Sequence, residues 1–496
     1  MVGSPFLNFK RHFVLSLLLL AVLFFPFATL LRQAQEVQIT WNTQLFKVIM
    51  FTLQQAFLSS AASLVFGVLG ALGLSWIRIS WSPRWVKWAE GMILLPNVVP
   101  VLLILLVTMK LFPWAIGLKG VTLVHALMNV GLVSVAVHRL VWTKMGGMAE
   151  LALIEGASRR QFLFKGVLPY LRNDLLLLFL FVFALCMSSF AVPLMVGGSQ
   201  GTTIETLIYQ KIRLQTNWRE ALGLSFMQVA IVCFLAWTLG KTPRSSIQSA
   251  RPVGMTLVSA PLALILALFA PVLVIYGMVS DVAVGWERVR ALHGLLAILI
   301  DVVLASFVIA MSVGFCTILL LATISFVYPQ GVLRKILLGY VAPSSVLMGF
   351  ALLIACPQFG VWTVVKIILG VSVISIASFY RMQWDSLLHG LEGQRVVAQL
   401  MGASDYMIWK RIVWPQIAPQ AFFIGGLASI WAWGDISLSS VVAERSITLS
   451  LVIKSLMGTY RLDAATFLIW ILLLGGAVTF LFFYGGSRVL DHEFEN

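Results

Sequence analysis

Residues 150–169 read ELALIEGASRRQFLFKGVLP, and residues 396–415 read VVAQLMGASDYMIWKRIVWP. We call them the first copy and the second copy. Both carry a Gly-Ala-Ser triplet, and both end on a proline thirteen positions after its glycine. Gly156 and Gly402 are separated by nearly half of the chain of 496 residues, and we call this separation the repeat offset. A chain that repeats one polar element between long apolar runs is expected to use it as a contact surface.

Each copy predicts a short helix, a turn at the glycine and a second short helix. The final proline is expected to stop the second helix before the membrane, because proline lacks an N–H and clashes with the preceding turn. Small residues in the first copy would let another protein approach closely. Phe162 and Phe164 are predicted to be apolar anchors for that partner, inside a basic rim of Arg159, Arg160 and Lys165.

The composition around the copies defines the class of protein. Hydrophobic residues make up 60% of the chain, charged residues 11%, and the mean hydropathy is +0.98. A soluble chain could not bury so much apolar surface. Apolar runs long enough to cross a bilayer predict an all-α polytopic membrane protein with about 12 transmembrane helices. They lie near residues 12–31, 48–77, 86–109, 120–138, 173–196, 220–239, 256–279, 292–326, 336–356, 361–380, 417–440 and 463–486. Gly67, Gly70 and Gly73 predict close helix packing in the second run.

The basic residues indicate the orientation. With a cytoplasmic N-terminus, 21 of the 34 Lys and Arg residues fall in inside segments, whereas the acidic residues divide almost evenly. This excess follows the positive-inside rule and places both termini in the cytoplasm. It accounts for the net charge of +15 without nucleic acid as a partner. Membrane lipid is the partner expected for the apolar runs.

The chain is expected to divide near residues 241–255, a short polar and basic segment. Residues 1–245 would form a first half with six spans, and residues 246–496 a second half with six. Each copy then falls between the fourth and fifth spans of its half. Because six is even, the halves are expected to run parallel, related by an axis along the membrane normal.

The first copy resembles the coupling motif of binding-protein-dependent ABC importer permeases. That motif has a Glu-Ala-Ala start, a glycine six residues after the glutamate, and a Leu-Pro ending with its proline thirteen positions after the glycine. The matching residues are Glu150, Ala152, Gly156, Leu168 and Pro169, and Leu151 replaces the first alanine. The resemblance implies that this stretch, with Ala157 beside the glycine, is a loop that seats in a groove of an ATP-binding subunit.

The second copy follows the same motif less closely. Gly402, Ala403, Ser404, Ile412 and Pro415 align with the motif. Val396 stands where the glutamate would be, and Trp414 where the leucine would be. The loss of the acidic residue predicts that the two ATPase contacts differ in strength.

The similarity continues outside the two copies. Residues 188–193 read SSFAVP and residues 197–205 read GGSQGTTIE, while Gly434-Asp435-Ile436 and Gly458-Thr459-Tyr460 occur in the second half. These patterns resemble the fused two-half permeases for ferric iron and for thiamine, in which one chain does the work of a permease dimer. The resemblance implies the type I ABC importer permease fold and a location in the bacterial inner membrane.

The resemblance also implies partners and a mode of action. Two molecules of a cytoplasmic ATP-binding subunit would grip the first and second copies, and a periplasmic binding protein would deliver the substrate. The chain would switch between inward and outward access and would not itself be an enzyme. Ferric iron and thiamine are the substrates implied, with sulfate, molybdate and polyamines more distant.

The sequence contains no nucleotide-binding motif, so ATP is expected on the partner subunit and no cofactor on this chain. Gly240-Lys241-Thr242 is the nearest approach, but Leu235 stands where a P-loop needs its first glycine. The six histidines show no metal-ligand spacing, and no metal site is predicted.

Asp435 and Ser189 are the candidate residues of the translocation path. Asp435 lies in the eleventh predicted span, where a carboxylate is costly and normally faces the bundle interior or water. Two interpretations are open for Asp435: a lining residue of the path, or a structural carboxylate that caps a helix break at Gly434.

Two long external segments occupy matching places, at residues 197–218 and 441–461. They are candidates for contact with a binding protein, and the alternative is a pair of re-entrant or packed loops.

Two other functions are open at this point. An ion-coupled secondary transporter with 6 + 6 spans would need intramembrane acidic residues in both halves. A membrane-embedded enzyme would need clustered His, Asp or Glu at a membrane boundary, and the sequence shows no such cluster.

Overall fold

The computed structural model describes residues 5–32, 37–198, 201–239, 258–279, 282–339, 344–357 and 360–495, and the described residues contain helices and no strands. The predicted division at residues 241–255 lies outside them. The helices up to residue 239 are α1 Pro5–Arg32, α2 Thr43–Ser80, α3 Pro83–Ile93, α4 Leu95–Val98, α5 Val101–Leu111, α6 Leu118–Lys144, α7 Gly146–Ile154, α8 Arg159–Gln161, α9 Leu168–Met187, α10 Ala191–Val196, α11 Ile204–Arg213 and α12 Trp218–Leu239.

The remaining helices begin at residue 263. They are α13 Ala263–Val279, α14 Val282–Ala291, α15 His293–Val327, α16 Gly331–Gly339, α17 Ser345–Ala355, α18 Val361–Phe379, α19 Asp385–Gly390, α20 Glu392–Leu400, α21 Asp405–Ile408, α22 Trp414–Gly434, α23 Ser437–Val442, α24 Leu449–Gly458 and α25 Leu462–Glu495. Three π-helical turns join neighbouring helices without a break, at Phe162–Val167, Tyr380–Trp384 and Trp409–Val413.

The prediction of an all-α polytopic membrane protein is confirmed. In the described part of the chain, seven helices are long and apolar enough to cross a membrane, or eight if the bent pair α13–α14 forms one span. Several predicted spans are instead broken into shorter helices. The run at 86–109 becomes α3, α4 and α5, because Pro96 and Pro100 cannot continue a helix that precedes them.

Close helix contacts hold the long helices together. Helix α2 packs on α6, α9 and α13, and α15 packs on α18 and α22. A Cβ added at Gly67 would lie 2.4 Å from Val133, and one at Gly70 would lie 2.2 Å from the Ser134 hydroxyl. These glycines let the α2 and α6 backbones approach, as the sequence predicts.

Among the described residues, the first helix of each predicted half lies against the opposite half. Helix α1 packs on α15 and α17, whereas α13 packs on α2, α5 and α6. This exchange ties the two parts of the chain together, because neither can separate without uncovering a helix of its partner.

Several helices before residue 240 have counterparts after residue 257 with matching bounds. Helices α7 and α20 are related by the repeat offset, since they begin at Gly146 and Glu392, and both contain nine residues. Helices α10 and α23 show the same relation and contain six residues each. Helices α9 and α22 begin at Leu168 and Trp414, which the repeat offset again separates.

Candidate functional site

Both copies contain the same turn. Gly156 has φ +71° and Gly402 has φ +83°, the left-handed region that glycine enters without steric cost. The Gly156 and Ala157 N–H groups donate to Leu153 O at 3.1 Å and Ala152 O at 2.9 Å. In the second copy, Gly402 and Ala403 repeat the two bonds, each at 3.0 Å. This pattern is a Schellman motif, which ends a helix by satisfying its last carbonyl groups.

A serine begins the next helix in each copy. The Ser158 hydroxyl accepts from the Gln161 N–H at 3.3 Å, and the Gln161 side chain accepts from the Ser158 N–H at 2.9 Å. The Ser404 hydroxyl accepts from the Met407 N–H at 3.4 Å. The Gly-Ala-Ser triplet therefore ends one helix and caps the next, which confirms the predicted helix, turn and helix.

The expectation that proline stops the second helix is wrong. Residues Arg159–Met187 form one continuous helix that passes through Pro169. A π turn precedes the proline, in which the Leu168 N–H donates to Leu163 O. The Trp414 N–H donates to Trp409 O before Pro415 in the same way. The wider turn accommodates a proline that provides no N–H, and so connects each copy directly to a long helix.

The first helix of each copy exposes apolar side chains. Ile154 in the first copy is 82% exposed, and Leu400, at the equivalent position of the second copy, is 83% exposed. Other exposed apolar residues are Leu151, Leu153 and Phe164 in the first copy and Val396, Val397, Met401, Tyr406 and Met407 in the second. Most of these residues were not predicted from the sequence to be contact residues. The run of apolar residues just before each glycine would have indicated them.

The two phenylalanines of the first copy have different environments. Phe164 is 68% exposed, as an anchor for a partner should be, but Phe162 is only 4% exposed. Phe162 belongs, with Val167 and Trp142, to a core cluster below the copy. The prediction that Phe162 is an anchor is therefore wrong, because it attaches the copy to its own chain.

The remaining residues of the coupling motif differ in their exposure to solvent. Glu150, Ala152 and Ala157 are half-buried, while Leu168 and Pro169 are exposed at the start of α9. In the second copy, Ala403 is exposed, and Ile412 and Pro415 are half-buried.

Two ion pairs join the helices in and next to the second copy. Arg334 on α16 donates to both carboxylate oxygens of Asp385 on α19, at 2.7 Å and 2.8 Å. The hydrogen bond to Asp385 raises the pKa of the Arg334 guanidinium. Arg395 on α20 lies 3.9 Å from the centroid of the Tyr328 ring and 3.9 Å from the Asp405 carboxylate. These contacts hold α20 against its neighbours.

Trp414 replaces the leucine of the motif for a visible packing reason. Its ring stacks on Trp409 with centroids 5.6 Å apart and an interplanar angle of 28°. The Trp409 indole N–H donates to the Ser325 hydroxyl at 3.0 Å. The two tryptophans therefore attach the π turn of the second copy to the end of α15.

Asp435 and Ser189 lie at equivalent helix breaks, separated by the repeat offset. The Asp435 carboxylate accepts from the Leu438 N–H at 3.2 Å, the Ser439 N–H at 2.8 Å and the Ser439 hydroxyl at 2.7 Å. It therefore caps α23, as the structural interpretation requires. Ser189 lies between α9 and α10, and its N–H donates to Cys186 O at 3.4 Å.

The two segments that were predicted to be external each contain a packed helix. Helix α11 buries Ile204, Leu207 and Ile208, and α24 buries Leu449 and Val452. This arrangement matches the packed-loop alternative, while contact with a binding protein stays a prediction.

No group of three or more His, Cys, Asp or Glu that could hold a metal ion occurs among the described residues. The described residues form a multi-pass membrane protein with two alike helix–turn–helix elements, each joined to a long apolar helix.

Comparison with known proteins gives a more particular likeness, to thiamine transport system permeases. The chain is 29% identical to the ThiP permease of Salmonella typhimurium over 213 residues, 40% of this chain and 39% of the relative. It is 28% identical to the Escherichia coli ThiP permease over 222 residues, 42% of this chain and 41% of the relative. The match spans about two-fifths of the length of these relatives. No protein-family model and no solved structure matches the chain.

Proposed function

We propose that this chain is the transmembrane permease subunit of an ABC importer. In this proposal, residues 1–245 and 246–496 are two fused permease halves of six spans each, arranged as in type I importers. Two molecules of a cytoplasmic ATP-binding subunit bind the first and second copies, and a periplasmic binding protein delivers the substrate. The chain lies in the inner membrane with both termini in the cytoplasm and catalyses no covalent step.

The observation that carries the proposal is the pair of alike, exposed apolar surfaces. Ile154 and Leu400 occupy equivalent positions just before the two left-handed glycines, and both are more than four-fifths exposed. An apolar patch outside the lipid region is a sign of a protein interface. Two such surfaces built by the same turn suit two molecules of one partner.

The bounds of the helices support the two-half organisation. The matched pairs α7 with α20, α9 with α22 and α10 with α23 all share the repeat offset. A duplicated chain produces this constant offset, whereas unrelated halves would not keep it through helices, turns and caps.

The connection to the membrane supports a mechanical role. Each copy passes through a π turn into a long helix, α9 or α22, without an intervening loop. A hydrogen-bonded helix transmits displacement along its axis, so movement of the copy by an ATPase would move the spanning helix. The translocation path would then open to alternate sides of the membrane.

Thiamine is the substrate that the comparisons favour. The relatives are named thiamine transport permeases. The resemblance to ferric iron permeases is carried by sequence patterns alone, so iron is the second choice.

The secondary-transporter alternative has less support. Ion coupling in both halves would require paired intramembrane carboxylates. Ser189 occupies the position equivalent to Asp435, and Asp435 uses its carboxylate to cap α23.

Substitution of the exposed apolar residues tests the proposal. Ile154→Ser and Leu400→Ser should reduce co-purification with an ABC ATP-binding subunit of the source organism, because they remove apolar contact area from the two surfaces. Val361→Ser is the matched control, since Val361 is 76% exposed but lies at the far end of α18. Undiminished binding in the double variant, or equal loss in the control, would refute the proposed ATPase contacts.

A further inference from the structure

Three tryptophans form an exposed surface where α2 leads into α3. Trp81 follows the last residue of α2, and Trp85 and Trp88 lie on α3. These rings and Met92, one turn beyond Trp88, are between 46% and 71% exposed. Spacings of three and four residues place the α3 side chains on one side of the helix. The Trp81 and Trp85 rings meet edge to face with centroids 5.4 Å apart. We call the three tryptophans and Met92 the tryptophan face.

The other side of α3 is packed on the rest of the chain. Val86 and Ile93 are buried, and they are seven residues apart, which places them on a common side of the helix. Ile93 belongs to a core cluster with Leu74 of α2, Val135 of α6 and Ala267 of α13. Because α3 is held from this side, the tryptophan face is directed away from the protein.

Basic side chains border the tryptophan face. Arg78 lies in the last turn of α2, Arg84 precedes Trp85, and Lys87 precedes Trp88. All three basic residues are exposed, and we call them the basic border. The acidic residue of α3, Glu90, accepts a hydrogen bond from Arg139 on α6 at 2.9 Å. The surface around the tryptophans therefore carries a net positive charge.

Helix contacts place the tryptophan face at the end of the molecule that carries the first copy. The Ser59 hydroxyl lies 3.4 Å from His125 Nδ1, and the Arg78 guanidinium lies 4.1 Å from the centroid of a Trp142 ring. Helices α2 and α6 therefore run parallel and end at the same level. Helix α6 ends at Lys144, and α7, which leads into the first copy, follows directly. The positive-inside rule predicts that this end is cytoplasmic.

The second half has no such face. Helix α16 is the counterpart of α3 by the repeat offset, and Arg334 on it is turned to Asp385. The positions related to Trp81, Trp85, Trp88 and Met92 hold Val327, Gly331, Arg334 and Leu338. The tryptophans are therefore not required by the repeated framework, and exposed aromatic surface indicates an interaction site.

The charge of the surface decides between two occupants. Residues 240–257, which lie outside the described part of the chain, contain Lys241, Arg244 and Arg251 and no acidic residue. Like charges would repel this segment from the basic border. An anionic phospholipid complements both parts of the surface, because it combines a negatively charged headgroup with an apolar boundary just beneath it.

We propose that the tryptophan face and the basic border bind an anionic phospholipid in the leaflet on the side of the two copies. The indole rings lie at the level between headgroup and acyl chain, which amphipathic aromatic rings favour. Arg84 and Lys87 bind the charged headgroup. The bound lipid links the α2–α3 junction to the bilayer surface. This inference goes beyond the proposed importer function and depends only on the location of the chain in a membrane.

Native mass spectrometry of the full chain tests the lipid preference. The protein is equilibrated in detergent micelles with equal amounts of phosphatidylglycerol and phosphatidylcholine, and the ratio of the two lipids retained is measured. The parent should retain phosphatidylglycerol in excess. Arg84→Gln with Lys87→Gln should lower the ratio about fivefold or more, since each basic side chain near an anionic headgroup contributes to binding. Lys335→Gln, at an exposed lysine on α16, is the matched control and should leave the ratio unchanged.

A second pair of substitutions tests the aromatic part. Trp85→Leu with Trp88→Leu should lower the amount of phosphatidylglycerol retained, because leucine lacks the indole N–H and the amphipathic ring. The melting temperature without lipid should equal that of the parent, since both side chains are exposed. A lower melting temperature would assign the tryptophans to packing within the chain and overturn the proposal. Equal retention of the two lipids by the parent, or an unchanged ratio in the arginine and lysine pair, would overturn it as well.

A protein partner is the other outcome that the experiment distinguishes. Co-purification of an ABC ATP-binding subunit is measured on the same variants in detergent without phosphatidylglycerol, and it should be unaffected. Loss of the subunit in the tryptophan pair, with lipid retention unchanged, would assign the face to a protein and overturn the lipid site. Failure of the parent itself to bind the subunit would contradict the importer function and leave the lipid ratios to decide this proposal.

Discussion

Arg334 and Asp385 form a bidentate ion pair that joins α16 to α19, just before the second copy in the chain. The position related to Asp385 by the repeat offset holds Arg139, which pairs with Glu90 on α3 at 2.9 Å. These two equivalent positions therefore carry opposite charges, and each charge forms an ion pair. The Asp385 side chain is 8% exposed, whereas that of Arg139 is 65% exposed. The pair that contains Asp385 is therefore expected to contribute more to the stability of the fold.

Asp385→Asn is expected to destabilise the protein by about 2 kcal/mol, because it leaves the guanidinium of Arg334 partly buried without its counter-charge. Arg139→Gln, the matched change in the first half, should cost less than about 1 kcal/mol because its pair is solvated. Denaturation in detergent measures both. The exchange variant Arg334→Asp with Asp385→Arg should recover part of the loss, and no recovery would argue against the ion pair as the cause.

Substitution of the turn glycines should uncouple ATP hydrolysis from transport. An added Cβ meets no atom within 4 Å at Gly156 or Gly402, so only backbone strain opposes alanine there. That strain is about 1–2 kcal/mol in the left-handed region, and asparagine tolerates it better than alanine. Gly156→Ala should therefore impair substrate-stimulated hydrolysis more than Gly156→Asn does.

The two copies should not respond equally. The first copy retains Glu150 of the coupling motif and the second has Val396 in its place, so Gly156→Ala should be more harmful than Gly402→Ala. Hydrolysis and transport assays in reconstituted vesicles compare the two. Indifference of both activities to both glycines would contradict the importer function.

The sequence was sufficient for features that depend on neighbouring residues. The apolar runs predict membrane helices, and the Gly-Ala-Ser triplets predict the turns, because capping and left-handed glycine are local effects. Residues two apart on a helix, such as Phe162 and Phe164, lie on nearly opposite faces. The burial of Phe162 and not Phe164 was not predictable locally, because it depends on which face packs on the core cluster that contains Trp142 and Val167.

Features that join distant parts of the chain were also beyond prediction. Arg213 on α11 donates to the carbonyl oxygen of Val441 on α23, which lies 228 residues further along the chain. No periodicity in the sequence links the two positions. Their meeting follows from the tertiary placement of α11 and α23.

Asp435 can be tested for a transport role apart from its capping role. Asp435→Ala removes the acceptor for three donors at the start of α23 and should cost about 1 kcal/mol. Asparagine caps helices nearly as well, so Asp435→Asn should preserve the melting temperature. Reduced transport by Asp435→Asn, with normal assembly of the ATP-binding subunit, would assign the charge itself to the path. Unchanged transport would leave Asp435 with the structural role alone.

The prolines that end the two copies should set the direction in which the coupling surfaces face. Pro169 cannot donate to the carbonyl four residues before it, and the preceding π turn accommodates that missing bond. In Pro169→Ala the new N–H can form an α-helical bond, so the turn is expected to tighten by one residue. A change of one residue rotates the surface by about 100° relative to α9, since an α-helix has about 3.6 residues per turn. Stability should therefore stay within about 1 kcal/mol of the parent while ATPase binding falls, and Pro415→Ala should do the same at the second copy.

Pro26→Ala is the control, because Pro26 lies inside α1, far along the chain from both copies. ATPase binding and melting temperature, measured on the same preparations, decide the matter: full binding by Pro169→Ala would show that other contacts, and not the proline, maintain the π turn.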